Sequence, residues 1–332
     1  MGTVWRVLSF GAVLGASAIV VGVVYFVFHH VRLVVNLFLG VQIKTVPEEG
    51  VVAEGEKVFF ETKDGVRLSG VLVAARSDRE PVGTVVFNHE FGSDRNSCMK
   101  YADFLLDAGF QVFAFDYRHH GESGQLGDYE PRHWCTEYEI ADLEAALAYL
   151  EGRADVDPER VVLFGISRGA TTCLCVAATR PRIAAVVSDS AFSTYRTLND
   201  YMHKWVSIFV IRFLVFERVP ELLFKVCGRG ALLVSRFRLG VDFPAVERLV
   251  ANCLMPILYI HGRRDSHIDW QQAPCLAQRT GGPHRVWIVP EARHNRSRFV
   301  EPERYERIVT GFLQEALAHK GTGAGVRERT YA

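Results

Sequence analysis

The pentapeptide Gly165-Ile166-Ser167-Arg168-Gly169 has the form G-x-S-x-G. An apolar run at 161–164 leads into it, and residues 170–174 read as the start of a helix. A strand that turns sharply into a helix needs small residues on both sides of the turn, and it leaves the central serine at the apex with its hydroxyl exposed. Such a serine becomes a nucleophile for acyl transfer once a base sits beside it. The bland alternative is a surface turn. The strand-like run before the motif and the helix after it are the context that acyl-transfer chemistry requires.

That chemistry needs a base, a carboxylate to orient it, and amide donors for the developing oxyanion. His294 is the candidate base. It lies in Pro290-Glu291-Ala292-Arg293-His294-Asn295, just past an apolar strand at 286–289, and an imidazole can accept and return a proton near neutral pH. Asp265 is the candidate acid, closing His261-Gly262-Arg263-Arg264-Asp265 after the strand 256–260. Its rival is Asp189, after the strand 183–187; the chain order serine, acid, histidine favours Asp265. The amides of Phe91 and Arg168 are the candidate oxyanion donors. Arg168 opens the helix, so its N–H stands outside the helical ladder in the positive end of the dipole. Phe91 lies in Asn88-His89-Glu90-Phe91-Gly92, directly after the strand 82–87. The chain has 12 histidines, so most must be bland. His29 and His30 flank an apolar segment, His203 lies in an insertion, His319 nears the tail, and His119 and His120 sit in a Gly-rich turn with a structural role.

These residues need a scaffold, and the chain alternates strands and helices throughout. Segments 57–62 and 66–74 alternate apolar and polar residues around Lys63-Asp64-Gly65, a hairpin in which the Asp-Gly pair supplies positive φ angles. Strands follow at 82–87, 110–115, 160–164, 183–187, 256–260 and 285–289. Helices are expected at 97–108, 137–151, 168–179, 270–279 and 302–319. Near-continuous apolar strands separated by helices imply a parallel sheet covered on both faces. Between Ser190 and Leu254 the alternation breaks, and an aromatic- and aliphatic-rich stretch reads as a helical insertion (191–253), either a lid over the catalytic face or extra helices closing the core. Residues 205–216 are apolar apart from Arg212, which argues with the short length against a second membrane helix.

The 332 residues balance 38 basic against 38 acidic side chains, so no charge excess points to nucleic acid. From Val7 to Phe28 there is no charged residue, a length that crosses a bilayer core as a helix. Arg6 precedes it, and His29, His30 and Arg32 follow. Ala16-Ser17-Ala18 resembles a signal-cleavage site, but the apolar run continues ten residues beyond it, which favours an uncleaved anchor within residues 1–44. Flanking charges leave the orientation open. The seven cysteines show neither a C-x-x-C pair nor zinc spacing, Cys98, Cys173, Cys175 and Cys253 read as buried thiols, and the odd count leans toward a reducing, cytoplasmic side. Residues 45–56 read as a linker, 57–320 as the catalytic domain and 321–332 as a disordered tail.

The stretches HEFG (89–92), FDYRHHGESG (115–124), GISRG (165–169), HGRRD (261–265) and ARHN (292–295) together resemble the α/β-hydrolase superfamily of serine hydrolases, in particular its serine-aminopeptidase-like and monoacylglycerol-lipase-like branch. The resemblance covers roughly 58–317. It implies an α/β fold with an eight-stranded, mostly parallel sheet, and hydrolysis of esters, thioesters or amides without a cofactor or metal. It also implies that the 116–123 turn is mainly structural. The chain departs from the family at Glu90, His119 and Arg293, each standing where glycine is usual, and a carboxylate at Glu90 would oppose an oxyanion unless turned away or paired. Three readings follow. The first is a membrane-anchored esterase acting on acyl or lipid esters; the second is a peptidase or thioesterase of the same fold; the third is a silent, membrane-tethered interaction protein.

Overall fold

The computed structural model describes residues 2–40, 51–127, 129–209, 221–320 and 329–331. Positions 45–50 of the expected linker (45–56) and 210–216 of the apolar stretch (205–216) therefore lie outside the described residues.

Among the described residues nine strands form one sheet: β1 (Glu56–Glu61), β2 (Arg67–Val73), β3 (Thr84–Asn88), β4 (Gln111–Phe115), β5 (Val161–Ile166), β6 (Ala185–Asp189), β7 (Ile257–Gly262), β8 (His284–Val289) and β9 (Arg329–Tyr331). Their order is β1-β2-β4-β3-β5-β6-β7-β8-β9. The β1–β2 and β2–β4 pairs are antiparallel and all others are parallel. The helices are α1 (Gly2–Gly40), α2 (Cys98–Tyr101), α3 (Phe104–Asp107), α4 (Glu137–Glu151), α5 (Arg168–Ala177), α6 (Thr194–Phe209), α7 (Glu221–Leu239), α8 (Val246–Leu249), α9 (Gln272–Ala277), α10 (Ser297–Val300) and α11 (Pro302–Lys320).

Central strands β3 to β7 are buried at every position, as parallel strands covered on both faces must be. Alternate residues feed opposite cores. Leu163 of β5 joins Leu143 and Leu147 of α4 and Leu174 of α5 on one face. Phe164 joins Leu105 of α3 and Val309 and Phe312 of α11 on the other. The α4 start is fixed by a capping box: the Thr136 side chain caps the helix amides while Glu139 reaches back to the Thr136 N–H at 2.8 Å.

Three local expectations are corrected. In the β1–β2 hairpin only Gly65 takes a positive φ, +80°; Asp64 does not. The Thr62 amide bonds the Val66 carbonyl at 2.9 Å, so three residues form the loop and only the last must be left-handed. Asp64 is used instead as an acceptor for Arg118, at 2.7 Å. The helix expected at 97–108 is two short helices, α2 and α3, because Ala102 at φ −134° leaves the helical region between them. Within the stretch 321–332 expected to be a disordered tail, Arg329–Tyr331 pair in parallel with β8 as β9, and 321–328 lie outside the described residues.

The chain divides into two compact units. One joins α1 to the helical segment from Leu198 to Gly240; the other carries the whole sheet. In the first, α1 is the one helix among the described residues long and apolar enough to cross a membrane, with mean hydropathy 2.1 over Ala12–Asn36. An apolar helix this near an N-terminus also suits a signal sequence. In the second, the flanks of the insertion are tied to the sheet's helices: the Ser193 hydroxyl donates to Glu247 at 2.8 Å, and Gln272 donates to the Thr197 hydroxyl at 3.2 Å.

Candidate active site

Ser167 stands between β5 and α5 with φ +54° and ψ −114°, a conformation that L-residues rarely adopt. Both motif glycines are required by contact. A Cβ on Gly169 would penetrate the backbone carbonyl of Asn88 at the end of β3, and one on Gly165 would collide with the Ala170 backbone at the start of α5. The turn is pinned from beneath, since the Ser167 amide donates to the Asp189 carbonyl at 2.8 Å. The side chain is thereby held at the carboxyl end of the sheet.

The Ser167 Oγ lies 2.9 Å from His294 Nε2, and His294 Nδ1 lies 2.6 Å from Asp265 Oδ2. These partners define the tautomer: Nδ1–H donates to Asp265, leaving Nε2 to accept the serine proton. The loops carrying the two groups are stitched together. The Arg263 amide bonds the Val289 carbonyl at 2.8 Å, and the Arg264 amide bonds that of Ala292 at 2.9 Å. Residues 127 and 29 positions apart in sequence are thus brought into one row by adjacent strands β5, β6, β7 and β8.

The Asp265 side chain is fully buried. Its Oδ1 accepts the amides of His267 and Ile268 at 2.8 and 2.9 Å, and its Oδ2 accepts a second imidazole, His261 Nε2, at 3.1 Å. Burial alone would disfavour the charge, but the hydrogen bonds from His261 and His294 outweigh it and hold the carboxyl well below the usual range. Within HGRRD the sequence alone assigns His261 no role. Its position four residues before the acid, at a strand end, was the available signal.

The rival acid, Asp189, faces elsewhere. Its carboxylate accepts from Ser190 at 2.8 Å, Tyr305 at 3.0 Å and Ser297 at 3.4 Å, while burial raises its pKa. Its backbone carbonyl supports the serine turn, and its side chain ties that turn to α10 and α11.

The HEFG loop is held by two neutral histidines. His89 Nδ1 donates to the Glu90 carbonyl at 2.7 Å and Nε2 accepts the Tyr117 amide at 3.2 Å. His120 Nδ1 donates to the Arg118 carbonyl at 2.9 Å; its Nε2 faces the Gly92 amide at 3.4 Å and the Arg168 guanidinium at 3.3 Å. Burial, reinforced by Arg168, pushes His120 down to about 3 and lowers His89 as well, so both remain acceptors. The Arg168 side chain is buried, 5.0 Å from the Phe91 ring and 3.3 Å from Glu139. The amides of Phe91 and Arg168 therefore sit on two segments braced by one cation. Glu90 points its carboxyl at the hydroxyls of Tyr101 (3.3 Å) and Ser97 (3.4 Å), and burial raises its pKa. It is paired on the α2 side by these two donors.

The 116–123 turn is a structural clamp. Buried Arg118 bonds Asp142 of α4 at 2.7 Å and Asp64 of the hairpin at 2.7 Å. Asp116 takes the Arg95 amide at 2.7 Å and the Glu122 amide at 2.9 Å. His119, at φ +62°, accepts the Leu126 amide at 2.8 Å. All seven cysteines are free thiols, six of them buried.

This arrangement can be set beside known proteins. A family model described as the alpha/beta hydrolase fold matches residues 83–229. The chain has the α/β-hydrolase fold. It is 28% identical to the uncharacterized protein YfhR of Salmonella typhi over 81% of its own length and 84% of the relative's. It is 27% identical to the uncharacterized protein Rv2307c of Mycobacterium tuberculosis, over 80% and 81%. Among solved structures it resembles the Pyrococcus furiosus esterase Pf2001, with TM-score 0.59 and 26% identity, covering 82% of this chain and 98% of that one.

Proposed function

We propose that this protein is a membrane-anchored serine hydrolase that cleaves carboxylic esters through an acyl-enzyme. The observation that carries the reading is the row Ser167 Oγ, His294 Nε2 at 2.9 Å, and Asp265 Oδ2 at 2.6 Å from Nδ1. Ser167 attacks the ester carbonyl carbon as its proton passes to His294 Nε2. Asp265 stays ionised and stabilises the imidazolium. The tetrahedral oxyanion is met by the amides of Phe91 and Arg168, whose fixed direction needs no reorganisation during the step. Collapse expels the alcohol, which takes the proton from His294. Water then enters, gives its proton to the same nitrogen and releases the acid.

Esters are preferred over amides because the alcohol leaves more readily and because the esterase Pf2001 has this fold at 26% identity. The motif set matches the serine-aminopeptidase-like and monoacylglycerol-lipase-like branch. The apolar α1 helix as anchor, and the aliphatic composition of the insertion, favour a medium or long acyl chain. The pairing of Glu90 with two hydroxyls speaks against the silent-protein reading.

The test is labelling of the full chain with a fluorophosphonate, which esterifies an activated serine. Labelling of the parent and its loss in Ser167→Ala are expected; a folded parent that does not label would end the hydrolase reading. A panel of p-nitrophenyl esters against aminoacyl amides and acyl thioesters then ranks the substrate class. Amide or thioester turnover above that of every ester would replace the esterase assignment with its peptidase or thioesterase alternative.

A further inference from the structure

Within the unit that joins α1 to the insertion, α7 has two unlike faces. One is buried and built of small residues: Cys227, Ala231 and Ser235 recur every four positions beside Phe224. Small side chains let two helices approach closely. A Cβ on Gly230 would come within 3.1 Å of Val31 of α1, and α1 is itself buried at Val34 and Val35.

The opposite face is exposed and apolar apart from Arg229. Leu222, Val226, Leu233 and Phe237 are 66%, 42%, 56% and 88% exposed. Their spacing of four, seven and four residues keeps them in one stripe along the helix. Four exposed apolar side chains in register form a patch of the kind that soluble surfaces avoid. The helix carries Lys225, Arg229, Arg236 and Arg238 against a single acid, Glu221. An apolar stripe with cations around it is the composition of a helix lying in a membrane interface.

The contact with α1 fixes a depth. The uncharged run of α1 ends at Phe28, and His29, His30 and Arg32 follow. Val31 lies five residues before Asn36, where the apolar span Ala12–Asn36 ends, about 7.5 Å along the axis at 1.5 Å per residue. A helix packed there lies in the outer part of that span, within the roughly 5–10 Å that an interfacial helix occupies.

We infer that α7 docks on an anionic phospholipid bilayer, with Leu222, Val226, Leu233 and Phe237 in the acyl boundary and the arginines at lipid phosphates. This rests on the proposed role of α1 as anchor. It adds a second, lipid-selective contact made by the insertion itself, so that the unit senses headgroup charge as well as being tethered.

The test uses the full chain in nanodiscs of phosphatidylcholine, with or without phosphatidylglycerol, carrying acyl chains brominated at depth. Phe237→Trp reports on α7 and Val20→Trp on α1, each read as the difference from the parent with its five tryptophans. Far-UV circular dichroism confirms that the variants fold. Quenching of both probes is expected, with about a twofold greater effect at 237 when phosphatidylglycerol is present. Arg236→Glu with Arg238→Glu should abolish that difference. Quenching at 20 with position 237 open to acrylamide would overturn the inference, leave the anchor standing, and assign the stripe to a protein partner instead. Equal quenching at 237 in both lipids would overturn the anionic selectivity. No quenching at either position would remove the anchor reading as well.

Discussion

In the proposed mechanism Ser167 and His294, 2.9 Å apart, act as a pair, so truncating the hydroxyl should remove nearly all of the catalysis that positioning and amide donors do not supply. Ser167→Ala is expected to lower kcat by about 10⁴–10⁶ with little change in KM, measured with the best ester of the panel. His261 makes a sharper claim. Its Nε2–H shares Asp265 Oδ2 with His294, and Asp189 and His267 are the other titratable groups close by; Tyr305 reaches the site only through Asp189. Removing that donor leaves Asp265 a stronger partner for the imidazolium. His261→Leu should therefore move the acid limb of the kcat/KM profile to higher pH and lower kcat about tenfold, while His261→Gln restores much of both. An unmoved acid limb in His261→Leu would reduce His261 to packing. None of this was legible beforehand: the motif order identifies Ser167, Asp265 and His294, but a bond between His261 and Asp265 depends on side-chain directions at the end of β7.

At the scale of elements, the strand–turn–helix around Ser167 was readable because it is local. The apolar run, the two glycines and the helix start all lie within about fifteen residues. What the glycines are for is a tertiary matter. Gly169 is forced by the carbonyl of Asn88, from a strand some eighty positions earlier. Gly169→Ala should destabilise the protein by about 3 kcal/mol or more, read as a lowered urea midpoint at unchanged m-value. Thr136→Ala, which removes the α4 cap, should cost about 1–2 kcal/mol in the same assay. The stretch 97–108 shows the opposite: its apolar period is helical throughout, while the break at Ala102 goes with the packing of α2 and α3 into the core on the sheet.

For the molecule as a whole, acid stability follows from what the core holds neutral. His120 and His89 are buried acceptors with lowered pKa values, whereas in the unfolded chain a histidine titrates near 6.5. Below that pH the unfolded state binds more protons, so stability falls with pH, and for His120 the window runs from about 6.5 down to about 3. Asp142, pushed up to about 6 by burial, opposes this, since its folded form takes a proton first and gains stability as pH falls toward 3.8. The histidine share is therefore read by difference. His120→Gln should flatten the fall in stability between pH 6.5 and 5 by roughly 1.4 kcal/mol per pH unit. Identical slopes in parent and variant would show that His120 is not held neutral.

Chain order, apolar periodicity and three short motifs were enough to specify a mostly parallel α/β sheet and the three residues at its rim, because parallel strands are continuous apolar runs and each group follows its own strand directly. Partner choice belonged to the folded chain. It alone joined His261 to Asp265, gave Asp189 to Tyr305 and two serines, turned Glu90 toward Tyr101, and set α7 against α1. Each of those pairings depends on distance in space between groups that the sequence keeps apart.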